Sequence, residues 1–151
     1  LNAAIKTTRR TIAAEEFFGA GIMSTTVLKP GELVTEIRIP APPAGSVQGY
    51  QKFRIRNAID FPIVGVATVI TLDGTTITDA RVALGAVAPM PLRARGVEKF
   101  LVGRTPDGET AAAAGAIAVR GVLPLCGNRF KVQIVKELLR RAIVRAGASG
   151  R

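Results

Sequence analysis

Residues 52–62 (KFRIRNAIDFP) hold a set of side chains that could act on an anion. Lys52, Arg54 and Arg56 recur at every second position, and the carboxylate of Asp60 follows them. In a strand, this spacing places the three cations on one face. Such a face has three interpretations: it binds a nucleic-acid backbone, it holds an anionic cofactor, or it is an ordinary solvated edge.

The apolar residues of the same segment predict which face of the strand is buried. Phe53 and Ile55 alternate with the cations, so we expect them to point into the core beneath the helices. The cations then face water, a ligand or a neighbouring domain. We expect the carboxylate of Asp60 to cap a turn or to pair with Arg54 or Arg56.

The remaining residues exclude several kinds of chemistry. The chain has no His, which removes the usual general base near neutral pH and every Ser-His-Asp arrangement. One thiol, that of Cys126, cannot form an internal disulfide or hold an iron–sulfur cluster alone. We therefore expect a buried or inert thiol, a cytoplasmic and reducing compartment, no catalytic residue and no metal site. The adjacent pair Glu15-Glu16 lacks catalytic spacing, and we expect it on the exposed side of a short turn.

Size and composition place the chain among globular domains. Its 151 residues fit one domain, or one domain with a fragment of another, and 48% hydrophobic residues suffice for a core. A formal net charge of +10 raises the expectation of a polyanionic partner. No apolar run reaches the roughly 18 residues that a membrane span needs. The chain begins without Met and in the middle of a pattern, which predicts a piece of a longer protein.

The first half of the chain predicts strands. Runs bounded by turn residues predict strands at residues 33–39, 50–56, 63–72 and 80–87, with a loop at 40–49. The run IVGVATVITL at 63–72 is almost wholly apolar and rich in β-branched residues, which is typical of a central strand. Asp73-Gly74 follows it and is a strong hairpin signal. We expect three or four antiparallel strands in a meander.

The second half predicts about three helices. We expect them at residues 91–101, interrupted near Gly96, at 109–120, and at 129–146. Asn128 is the expected N-cap of the last helix and Gly147 its expected end. The apolar face expected for that helix consists of Phe130, Ile134, Leu138, Leu139, Ala142 and Ile143. Strands followed by helices predict an α+β fold, an antiparallel three- to four-stranded sheet packed as a two-layer sandwich.

Five runs together resemble the flavoprotein (FAD-binding, medium) subunit of the molybdenum hydroxylases. That family includes carbon monoxide dehydrogenase, xanthine dehydrogenase and 4-hydroxybenzoyl-CoA reductase. The resemblance is to the C-terminal part of the subunit and covers nearly the whole chain. In order, the runs are RRTIAAEEFF, LKPGELVTEIRIPAPP, GYQKFRIRNAIDFPIVGVA, LDGTTITDARVALGAVAPMPLRA and LCGNRFKVQIVKELLRRAI.

The resemblance implies a cofactor set and partners. It implies electron transfer from a molybdopterin centre through [2Fe-2S] clusters to FAD, with a molybdenum-binding large subunit and an iron–sulfur small subunit. It also implies that residues 1–28 are a remnant of the FAD-binding domain and that 29–151 form the flavoprotein C-terminal domain. The glycine-rich FAD motifs of the family have no counterpart here, which places the main FAD site outside this sequence.

Two residues correspond to positions that approach the flavin in the family. Val34 matches an aliphatic residue that packs on the ring system, and Lys52 matches a cation beside it. The resemblance therefore implies a part in the edge of the flavin site and in subunit assembly. The alternative function is a basic nucleic-acid-binding or protein-docking module with no redox role. Against nucleic acid, the chain has seven aromatic residues (six Phe, one Tyr) and no stacking cluster.

Overall fold

The structure is a computed structural model that describes residues 2–149, and it contains two antiparallel sheets. The first part comprises β1 (Ala4–Thr7), β2 (Thr11–Ala13), α1 (Ala14–Phe17) and β3 (Val34–Arg38). The second comprises β4 (Ser46–Phe53), β5 (Val64–Asp73), β6 (Thr76–Gly85), β7 (Leu92–Arg93), α2 (Arg95–Leu101), α3 (Gly108–Ala118) and α4 (Phe130–Ser149). No helix within residues 2–149 is both long and apolar enough to cross a bilayer.

The second sheet has the order β4-β5-β6-β7 and confirms the predicted meander. Its inner strand β5 presents Val64, Val66 and Ile70, all at 0% exposure, to the main core. The hairpin at Asp73-Gly74 is confirmed, because Asp73 pairs with Thr76 and Gly74 has a φ of 56°.

Three helices cover one face of this sheet and complete the predicted α+β sandwich. α4 packs on β4 and β5, α2 packs on β6, and α3 joins the two helices. α3 begins at an N-cap that the sequence analysis did not identify, where the carboxylate of Asp107 accepts a hydrogen bond of 2.8 Å from the Thr110 amide. The buried side of α4 has helical spacing and consists of Val135, Leu138, Leu139, Ala142, Ile143 and Ala146.

The strand at 33–39 is real, but it does not belong to the meander. β3 pairs with β1, with Ile37 opposite Ile5, and the first sheet has the order β2-β1-β3. A separate small core of Ile5, Ile12 and Phe17 supports this sheet. The four-stranded sheet therefore starts at β4 and is completed by the short strand β7, which the sequence analysis did not identify.

Several element boundaries differ from the expectation. β4 begins at Ser46, inside the expected loop at 40–49, and ends at Phe53 rather than at residue 56. Gly96 lies within α2 without interrupting it. α4 continues through Gly147 to Ser149. The glycine allows close packing there, because a Cβ would lie 2.7 Å from the carbonyl oxygen of Pro106.

The start of α4 also differs from its expected form. The Oδ1 atom of Asn128 is buried and has no hydrogen-bond partner in residues 2–149, so this side chain does not cap the helix. Phe130, expected on the buried face, is 51% exposed, and Ile134 is only partly buried. The stripe that reaches the core starts one turn later, at Val135.

Candidate functional site

Lys52 lies near the end of β4, on the strand that borders the four-stranded sheet. Its Cα partner across the sheet is Gly65, and its side chain is exposed. The Nζ atom donates a hydrogen bond of 2.5 Å to the backbone carbonyl oxygen of Asp60. An exposed ammonium on a rigid strand is chemically able to face an anionic group of a bound cofactor.

Asp60 organises the loop that follows β4. Its carboxylate accepts a hydrogen bond of 3.0 Å from the backbone amide of Arg56 and lies 3.5 Å from the guanidinium of the same residue. The Arg56 amide is the main reason that the pKa of Asp60 lies below its ordinary value. The expected turn-capping and pairing role of Asp60 is thus confirmed, with Arg56 as the partner.

The expected burial of Phe53 and Ile55 is wrong. Phe53, the last residue of β4, is 43% exposed. Ile55 is 83% exposed because the residues after Phe53 turn away from the sheet. Ile59 and Phe61, further along the loop, are 100% and 90% exposed. Ile55, Ile59 and Phe61 form what we term the apolar loop. All three side chains are accessible to contact by another molecule.

Val34 lies on the other sheet. It begins β3, pairs with Thr7 of β1 and is 42% exposed. The two expected flavin contacts are therefore an accessible aliphatic side chain on the first sheet and an accessible ammonium on the second. These groups suit the apolar ring system and the polar edge of a flavin, so the residues present fit the cofactor. Their part in binding it stays a prediction.

Residues that the sequence analysis did not select connect the two sheets. Arg93 of β7 donates from Nε to Glu98 of α2 at 2.7 Å and from a terminal nitrogen to the Oδ1 atom of Asn2 at 2.8 Å. Arg95 forms a two-point contact with the carboxylate of Glu15, which lies on α1. Glu15 was expected as an exposed turn residue, and its charge gave no signal of a partner 80 residues away.

The other candidate chemistry is limited. Cys126 is exposed rather than buried, in the segment between α3 and α4. Within residues 2–149, no group of three or more His, Cys, Asp or Glu side chains could hold a metal ion.

The sequence of this chain matches a known protein family and several of its members. The model of the CO dehydrogenase flavoprotein C-terminal domain matches residues 48–146. The carbon monoxide dehydrogenase medium chain of Afipia carboxidovorans is 34% identical over 143 residues, 92% of this chain and 49% of that protein. The aldehyde oxidoreductase FAD-binding subunit PaoB of Escherichia coli is 34% identical over 128 residues, 82% of this chain and 35% of that protein.

A solved structure extends the likeness to both sheets. It is carbon monoxide dehydrogenase from Hydrogenophaga pseudoflava, which lacks the Mo-pyranopterin moiety of the molybdenum cofactor. The TM-score is 0.86 at 29% identity, and the match covers 99% of this chain and 53% of that one. The chain spans about half the length of the curated relatives it matches.

The four-stranded meander with three helices on one face defines the class, an α+β domain of the kind that ends flavoprotein subunits. More specifically, the chain belongs to the CO dehydrogenase flavoprotein C-terminal domain family. The resemblance inferred from the five sequence runs is confirmed.

Proposed function

We propose that this chain is the C-terminal part of the FAD-binding subunit of a molybdenum-dependent oxidoreductase. It borders the flavin site and takes part in subunit assembly, for electron transfer from iron–sulfur clusters to FAD. One observation carries the proposal: the likeness to a carbon monoxide dehydrogenase chain runs through 99% of this chain, including both sheets. The names of the relatives supply the cofactors, FAD and molybdenum.

The flavin accepts and releases electrons when bound, and the residues of this chain shape its surroundings. The ammonium of Lys52 provides positive charge, which stabilises the added negative charge of a reduced cofactor. Val34 provides an aliphatic surface for ring packing. Neither side chain moves a proton in this scheme, and catalytic bond-making belongs to the partner subunits.

The division of the chain follows the proposed function. We expect the first residues to complete the FAD-binding domain and the rest to form the C-terminal domain, with a boundary expected after residue 28. The pairing of β3 with β1 supports a boundary later in the chain, between β3 and β4. Residues 39–45 join the two sheets and contain no helix or strand.

The expected partners are a molybdenum-binding large subunit and an iron–sulfur small subunit. The apolar loop supports a macromolecular contact, because three large side chains at 83–100% exposure are costly to leave in water. The net charge of +10 favours an acidic partner surface. A reducing, cytoplasmic compartment is proposed from the use of a single cysteine.

The decisive experiment is expression of the complete subunit together with its two partner subunits. We expect the purified complex to show the absorption of bound FAD and to contain molybdenum and iron. Reduction of the flavin on addition of a substrate of the molybdenum subunit would support electron transfer. A complete subunit that assembles with both partners but carries no flavin would contradict the proposal.

A further inference from the structure

Apart from the connecting segment at 39–45, the backbone makes few links between the two sheets. We term residues 2–39 the first unit and residues 40–149 the second unit. Within these described residues, no backbone hydrogen bond links the two units. The two hydrophobic cores are separate clusters, and a cavity of about 350 Å³ lies between the units. Its apolar lining includes Ala3, Phe18, Ala83 and Leu92. The relative orientation of the sheets is therefore not set by continuous core packing.

The two units are linked by hydrogen bonds between a small number of polar side chains. Among residues 2–149, every side-chain hydrogen bond between the units is donated by Arg93 or Arg95. The acceptors on the first unit are Asn2 and Glu15. A second Arg93 contact places its guanidinium 3.8 Å from the Glu15 carboxylate. Glu15 thus lies between two cations of the second unit.

Glu98 fixes these cations in place. Its side chain is 8% exposed, and its Oε1 atom accepts hydrogen bonds from the backbone amide of Val82 at 2.8 Å and from Arg93 at 2.7 Å. Its other carboxylate oxygen lies 3.5 Å from Arg95. This buried carboxylate ties Arg93 to β6 and α2 by hydrogen bonds and holds Arg95 by an ion pair, so the groups that contact Glu15 are held in place.

Within the first unit, strand pairing connects Glu15 to Val34, one of the two expected flavin contacts. α1 follows β2 directly, and the pairs Ile12–Ile5 and Ile5–Ile37 tie β2 through β1 to β3, where Val34 lies. On the other side, the sheet continues from β7 through β6 and β5 to β4, where Lys52 lies. A rotation of one unit about the Glu15 contact changes the separation of Val34 and Lys52.

We propose that Glu15, Arg93, Arg95 and Glu98 form an interdomain latch that sets the separation of Val34 and Lys52. The four side chains are positioning residues, and what they position is the first unit relative to the second. The inference rests on the proposed function only for the identity of the ligand that Val34 and Lys52 would contact. The latch itself is a property of the two units.

The test uses the complete flavoprotein subunit and Glu15→Gln, which removes one charge at a side chain that is 43% exposed. We expect FAD to dissociate about tenfold more readily, as for a lost coupling between neighbouring groups. The matched control is Glu137→Gln. Glu137 is 41% exposed and bonds Arg140 and Arg141 within α4. We expect this control to bind FAD as the unaltered subunit does.

Two further measurements separate the latch from a general loss of stability. Raising KCl from about 50 to 500 mM should weaken FAD binding more in the unaltered subunit than in Glu15→Gln, since salt screens the exposed Arg95–Glu15 ion pair that only the unaltered subunit has. Combining Glu15→Gln with Arg95→Gln should weaken binding little more than either change alone. Additive effects, or an unchanged affinity in Glu15→Gln, would overturn the latch.

A distance measurement keeps the two proposals distinguishable. Spin labels at Thr11→Cys and Thr75→Cys, in a background freed of other reactive thiols, report the orientation of the units. We expect Glu15→Gln to broaden the distance distribution and Glu137→Gln to leave it unchanged. If the complete subunit binds no FAD, the proposed function fails, and the distances alone decide the latch. Identical distributions in all three proteins refute it.

Discussion

The ammonium group of Lys52 donates a hydrogen bond to the backbone carbonyl oxygen of Asp60, eight residues further along the chain. An ammonium has three donors, so this bond leaves two for another acceptor. The contact holds the charge of Lys52 beside the loop that Asp60 and Arg56 close. Lys52 is thus a positioned cation rather than a freely moving surface charge, and this makes its electrostatic effect measurable.

We expect Lys52→Ala to lower the midpoint potential of the flavin in the complete subunit. Loss of a nearby positive charge disfavours the reduced, more negative cofactor, and a shift of roughly 30 mV corresponds to about 1.4 kcal/mol for two electrons. Lys99→Ala removes another exposed charge, on α2, and should leave the potential unchanged. An unchanged potential in Lys52→Ala, measured by spectroelectrochemical titration, would remove Lys52 from the flavin site.

We expect the 151-residue chain, purified alone, to be colourless. The glycine-rich motifs that hold FAD in the family are not found in this sequence, and Lys52 and Val34 supply only an edge of the site. The measurement is the visible absorption spectrum after addition of excess FAD and gel filtration. Retention of one flavin per chain would show that the main site lies within these residues.

We expect Asp60→Asn to loosen the loop after β4, because an amide accepts the Arg56 N–H bond less strongly than a carboxylate does. Faster hydrogen exchange at the Arg56 amide would report the change. In the unaltered chain the pKa of Asp60 is lowered, so the ionised carboxylate stabilises the folded chain. Its stabilising effect is present at neutral pH and is lost as the pH falls below about 4. Asp79→Asn, on β6, should leave Arg56 protected.

The first sheet should lose stability in acid through Glu32. Hydrogen bonds from Arg10, the Lys29 amide and Thr7 lower the pKa of this buried carboxyl to about 2. A lowered pKa stabilises the fold above the unfolded value, and the effect is lost between about pH 4.5 and pH 2. Amide signals of β1 and β3, followed by NMR during acid titration, should report it.

Two variants sharpen the Glu32 prediction. Glu32→Gln should weaken the first sheet already at neutral pH and remove most of its sensitivity to acid. Glu137→Gln is the control, because the pKa of Glu137 is likewise lowered to about 2, chiefly by Arg140, but on the surface of α4. Equal acid sensitivity of β1 and β3 in Glu32→Gln would contradict the assignment.

Two helical glycines should respond oppositely to replacement by alanine. Gly147→Ala should destabilise the chain by about 1–3 kcal/mol, because the new Cβ would lie 2.7 Å from the Pro106 carbonyl oxygen. Gly96→Ala should stabilise it by about 0.5 kcal/mol, because alanine favours helix and the Cβ would meet Ile117 at an ordinary 3.5 Å. Urea denaturation of both variants gives the comparison, and a stabilised Gly147→Ala would show that the Pro106 contact relaxes.

The sequence predicted the elements that carry their own signal. The β-branched run of β5, the Asp73-Gly74 turn and the apolar stripe of α4 each specify local structure and burial together. The family also followed from sequence, because the five runs occur in a fixed order. These features depend on neighbouring residues or on a repeating pattern.

The errors arose where distant residues decide the structure. β3 joins the first sheet because it pairs with β1. β1 has only four residues (AIKT), too few to show a clear alternation of apolar and polar residues, and no turn motif marks it. Ile55 continues the alternation of β4, yet Asp60 closes a loop that removes it from the sheet. The latch depends on Glu15 and Arg95, which are 80 residues apart. No local pattern encodes such a pair.

The sheet order β4-β5-β6-β7 leaves β4 with a single neighbour among the described strands. One side of its backbone can therefore accept a foreign strand, which is a common start of aggregation between protein molecules. Lys52 lies on this edge, and a charged lysine on an edge strand discourages such pairing. The cation that we propose for the flavin site thus also disfavours pairing between molecules of this chain.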